Sequence, residues 1–116
     1  MNFCFWSTRP IKVENMPASC KIGDGYVPGS IREVSRKGLE IEIKTSRLQD
    51  GLNDWLHQPI TLTIENAILE GTLSWYTIEG FTYRVGITIS PKQRAAWIKI
   101  FSERARGLIH AATKPA

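Results

Sequence analysis

The 116-residue sequence is poor in the residues that build metal centres and disulfide scaffolds, with two cysteines and two histidines in all. Cys4 and Cys20 stand far apart, and neither His57 nor His110 completes a zinc spacing with them. No metal site is expected, and both thiols are expected to be free. Long apolar runs are missing, which excludes a membrane-spanning helix. The opening Met1-Asn2-Phe3-Cys4-Phe5-Trp6 is apolar, but it is too short for a signal peptide and no basic stretch precedes it. The expected location is therefore the cytoplasm. No His, Asp or Glu lies beside a Ser or Cys in a nucleophile motif, so no catalytic residue is assigned and no enzyme is expected. One-sided charge is also missing. Fifteen Lys+Arg against eleven Asp+Glu leave a net +4. The basic residues are spread along the chain rather than gathered on one element, which argues against a nucleic-acid partner.

What the sequence does have is an ordinary globular balance, 42% apolar and 22% charged, in a length that suits one domain with one core. Alternation with period two dominates it. Ser19 to Ile22 runs into the Gly23-Asp24-Gly25 turn, and Tyr26 to Val34 follows as a strand. Pro28 and Gly29 in that strand mark a bulge or an edge position. Ser35-Arg36-Lys37-Gly38 is the next turn. Leu39, Ile41 and Ile43 then alternate with Glu40, Glu42 and Lys44, and Ile60, Leu62 and Ile64 alternate with Thr61 and Thr63. Ala67, Leu69, Gly71, Leu73 and Trp75 share one parity, as do Phe81, Tyr83, Val85, Ile87 and Ile89, so both sets are expected to face a core. Gly86 marks a bulge or a close backbone approach.

The period changes after Ser90. Ser90 as N-cap, Pro91 at the first helical position and Gln93 as the partner of a capping box open a helix expected over about 90–112. Trp97, Phe101, Ala105, Leu108 and Ala112 form its apolar stripe. Residues 1–16 have no clean period, and prolines at 10 and 17 interrupt them and their border. They are expected to form an N-terminal arm, with residues 17–116 folding as an all-β domain with a C-terminal helix. Six strands and one helix suit a small antiparallel barrel, because closure removes exposed sheet edges.

The string Glu33-Val34-Ser35-Arg36-Lys37-Gly38 between two strands resembles the signature of the PilZ domain, Asp or Asn, then Ser and Gly in a strand-turn-strand setting, with Glu33 taking the acidic position one methylene longer than Asp. Leu73-Ser74-Trp75 is similar to that family's apolar strand ending in Trp, Tyr83-Arg84-Val85-Gly86-Ile87 to its last strand, and the helix follows in the same place. The resemblance covers about residues 9 to 112. It implies a six-stranded barrel that binds the bacterial second messenger cyclic di-GMP, with no other cofactor. The implied ligand-binding residues are Arg9, Glu33, Ser35, Arg36 and Gly38. The chemistry fits such a ligand: an arginine fork matches a phosphate or a guanine edge, turn amides and a Ser hydroxyl add donors, and a carboxylate accepts from guanine N1 and N2.

The arm departs from the family pattern, which places two arginines with three residues between them. Arg9 is the only arginine before Arg32, and the other position falls on Phe5, or on Val13 if Arg9 is the first of the two. Losing one charge-assisted contact weakens binding by about 1.5–3 kcal/mol. The resemblance therefore implies one of two roles. The first is a cyclic di-GMP receptor that signals through a protein partner. The second is an adaptor that has lost the ligand and acts only through protein contacts, in pilus assembly or motility.

Overall fold

The computed structural model describes residues 11–48, 51–100 and 102. Six strands, β1 (Ile11–Ile22), β2 (Gly25–Val34), β3 (Gly38–Lys44), β4 (Pro59–Ile64), β5 (Ala67–Glu79) and β6 (Thr82–Ile89), close into an antiparallel barrel in the order β1-β2-β3-β6-β5-β4. A 3₁₀ turn at Pro91–Gln93 leads into a helix, α1, described at 94–100 and 102. The all-β architecture with a C-terminal helix matches the sequence expectation. Phe101, Ala105, Leu108 and Ala112 of the expected stripe lie outside the described residues.

The alternating residues do what their parity dictates. Ile31, Ile41, Ile43, Leu62, Ile64, Leu73 and Val85 turn inward and are buried, and Trp97 of α1 is fully buried with them. Cys20 is also in this core, where burial pushes its thiol pKa from 9.0 up to about 12. Pro28 is tolerated in β2 because β3 pairs β2 only from Ser30 onward, which leaves the first half of the strand with β1 alone.

Four features differ from the sequence reading. Phe81, grouped by parity with the core-facing set, precedes β6 at the β5–β6 turn and is 86% exposed. β1 begins at Ile11, within the stretch expected as arm. Ile11 and Lys12 already pair with Val34 and Glu33, and an irregularity before Met16 absorbs the break in pattern near Pro17. Trp75, expected inside, faces outward. A register shift between Leu73 and Trp75 inserts Ser74 as an extra residue, which turns Trp75 out and swings Tyr76 in against Tyr83, with ring centroids 5.8 Å apart. Finally, Ser90 makes no side-chain cap. Gln93 Oε1 instead accepts the backbone N–H of Glu70, whose carbonyl accepts Ser90 N–H at 2.9 Å. The two partners of the expected capping box share only a backbone bond, Gln93 N–H to Ser90 O at 2.9 Å, and both grip β5, which anchors the start of α1 to the barrel.

Candidate functional site

On the outer face, the register sets one row across four strands. Glu33 on β2 stands opposite Glu40 on β3, Glu40 opposite Gly86 on β6, and Gly86 opposite Trp75 on β5. The missing side chain at Gly86 makes room for the indole. A Cβ built there would lie 2.0 Å from Trp75 Nε1 and 2.3 Å from its Cε2, so the ring lies directly over the glycine. A bulge on β5 and a glycine on β6 thus place a large aromatic ring along the barrel wall, 42% exposed.

Beside this ring is an open cavity of about 280 Å³, lined by Glu33, Ser35, Lys37, Gly38, Glu40 and the Trp75–Gly86 pair among others. Ser74 and Thr88 close the far side, their hydroxyls 2.6 Å apart. A second cavity, of about 420 Å³, shares Glu33 and Glu40 with the first and extends over Arg32 and Arg84. Glu40 is held by Arg84, which donates from Nε to Oε2 at 2.8 Å and from Nη2 to Oε1 at 3.0 Å; its Nη1 donates to Glu79 at 3.0 Å. These hydrogen bonds, to Glu40 first and then Glu79, hold the Arg84 pKa even above its ordinary high value, so the clamp keeps its charge at any practical pH. The Glu33 carboxylate has no such partner among the described residues. It is the acceptor left open on the cavity wall.

The turn between β2 and β3 is built by Ser35 and Gly38. Ser35 N–H donates to Gly38 O at 2.8 Å, and the Ser35 hydroxyl reaches the same oxygen at 3.4 Å. Ser35 O accepts Trp97 Nε1–H at 2.7 Å, which ties the turn to α1. Gly38 packs against β6 so closely that a Cβ would lie 1.9 Å from Ile87 O. Both residues line the cavity, and both also serve the barrel itself.

Of the residues expected at a ligand site, Glu33, Ser35 and Gly38 are brought together here. Arg36 is exposed at the turn and does not line this cavity, whereas Lys37 next to it does. Arg9 lies outside the described residues. Glu40, Trp75 and Gly86 were not expected at the site. The outward parity of Glu40 was visible in the sequence, but the shift that exposes Trp75 was not. Among the described residues, no group of three or more His, Cys, Asp or Glu is placed to hold a metal. No helix among them is long and apolar enough to cross a membrane.

No family model and no curated protein matches the sequence. The fold does have solved counterparts. MrkH from K. pneumonia, in complex with c-di-GMP, superposes with a TM-score of 0.66 at 11% identity, over 92% of this chain and 54% of MrkH. PlzA from Borreliella burgdorferi, also in complex with c-di-GMP, superposes with a TM-score of 0.54 at 13% identity, over 98% of this chain and 56% of PlzA. The chain thus spans a little over half the length of these proteins, and its six-stranded barrel with a C-terminal helix has a PilZ-like fold.

Proposed function

We propose that the protein is a cyclic di-GMP receptor of the PilZ type that passes its ligand state to a protein partner. The observation that carries this reading is the Trp75 indole laid over Gly86, in one cavity with the Glu33 carboxylate and the Ser35–Gly38 turn. An exposed indole is a stacking surface for a base, and a carboxylate on the same cavity wall selects a guanine through the N1 and N2 donors. The described lining holds Glu33 and Glu40 against Lys37 alone, so the cavity suits a base better than a phosphate. The phosphate contacts fall to Arg9, which precedes β1 in the sequence, and to Arg36 at the exposed turn.

A second reading has its own support. Gly38 is required by the barrel whether or not a ligand binds, so a chain that had lost the ligand would still retain it. This is the adaptor without cyclic di-GMP. Calorimetric titration separates the two. The receptor gives saturable binding that Arg9→Ala abolishes and Trp75→Ala weakens by about tenfold, roughly 1.4 kcal/mol for one stacked base. Raised salt weakens it further through the phosphates. A flat titration of the wild type at millimolar ligand would falsify the receptor and leave the adaptor.

A further inference from the structure

We propose that the protein self-associates through the free edge of β5, with residues 75–79 of two copies pairing antiparallel about a two-fold axis at Thr77. This goes beyond the ligand reading and does not depend on it. β4 stops pairing with β5 at Thr72, and the last backbone bonds on that side run between Leu73 and the Gln58 and His57 backbone. From Ser74 to Glu79, β5 has β6 on one side, and among the described residues no backbone hydrogen bond reaches it from the other. The N–H and C=O groups on that side are a ready template for another strand.

Exposed edges are usually blunted by charge or proline. This edge, Ser74-Trp75-Tyr76-Thr77-Ile78-Glu79, has no proline and one charged residue, and that carboxylate is already paired with Arg84. Its tip is apolar, with Ile78 57% and Phe81 86% exposed. The segment is also its own complement, which selects a second copy over an unrelated extended segment. With Thr77 on the axis, Tyr76 faces Ile78 of the second copy, Trp75 faces Glu79 of the second copy, and threonine meets threonine at the centre. No like charges oppose each other, and two apolar pairs form. An isologous contact of this kind closes at two copies instead of growing into a fibre.

Sedimentation and hydrogen exchange of the wild type over about 1 to 200 µM test the proposal, since dimerisation follows mass action. The expected result is a monomer–dimer equilibrium in which the amides of 75–79 slow as concentration rises. Ile78→Lys and Phe81→Lys should shift it to monomer by about tenfold or more, while Ile68→Lys, equally exposed but on the β4-paired stretch, leaves it unchanged. The wild-type exchange data stand even if a lysine variant fails to fold. A wild type that stays monomeric throughout overturns the proposal and leaves the edge to an extended segment of another protein. A dimer whose 75–79 amides gain no protection overturns it as well.

Discussion

Adding one methyl group should separate two glycines that look alike in the sequence. At Gly38 the new Cβ meets the Ile87 carbonyl, which is backbone fixed in the β3–β6 ladder. At Gly86 it meets the indole of Trp75, a side chain on the surface that is able to rotate away. In denaturant melts, Gly38→Ala should cost about 1–3 kcal/mol or more, and Gly86→Ala less than about 1 kcal/mol. Gly86→Ala should nevertheless change the Trp75 fluorescence and weaken cyclic di-GMP binding by up to about tenfold, as Trp75→Ala does, because it expels the stacking surface. Equal stability losses would show that the indole is as fixed as the ladder. Cys20 carries a pH prediction of its own. Its folded pKa of about 12 lies above the 9.0 of a free thiol, so above pH 9 the unfolded chain loses a proton that the folded chain keeps. Stability should be unaffected by this group below pH 9 and should fall as pH rises from 9 toward 12. Cys20→Ala starts from a lower stability but should show a shallower decline over that window.

For the elements, the decisive contact is between α1 and the β2–β3 turn. Trp97 is fully buried and donates to Ser35 O. Trp97→Ala should destabilise by about 3–5 kcal/mol. Trp97→Phe keeps most of the packing but leaves the Ser35 carbonyl without this donor, at about 1–3 kcal/mol. If the phenylalanine variant melts like the wild type, the hydrogen bond adds nothing to the packing. Most of the strands were legible in the sequence because Ile41/Ile43, Ile60/Leu62/Ile64 and Val85/Ile87/Ile89 alternate cleanly with polar neighbours, and a barrel buries one face of every strand. The orientation of Trp75 was not legible. Its parity matches Leu73, and the extra residue at Ser74 that reverses it leaves no mark in β5 itself. The clue lies eleven residues on, at Gly86, and makes sense only once the two strands are paired. The start of β1 was obscured in the same way, because an irregularity near Met16 breaks the alternation while the pairing with β2 continues. For the site, Glu33, Ser35 and Gly38 were readable through the resemblance of their spacing. The close approach that makes Gly38 obligatory depends on Ile87 of β6, 49 positions away in the chain.

For the whole molecule, the barrel has one thin seam. β1 and β4 close it through three aligned pairs, Ser19↔Thr63, Cys20↔Leu62 and Lys21↔Thr61, whereas β3 and β6 align over the full length of β3. Native-state hydrogen exchange in mild denaturant should open the β1–β4 amides before those of β3–β6. Uniform protection around the barrel would show that closure is as strong at the seam as elsewhere. The Trp97–Ser35 hydrogen bond has a different kind of consequence. It gives the turn that lines the candidate site and the helix that leaves the barrel a shared atom, so neither can change its preferred position without a cost to the other. Linkage is reciprocal. If a partner grips α1 and thereby favours one position of the turn, it changes the affinity for cyclic di-GMP by some factor, and the ligand must change the affinity for that partner by the same factor. The output of such a receptor is then not a separate step that follows binding but the same free energy measured from the other end of one indole N–H.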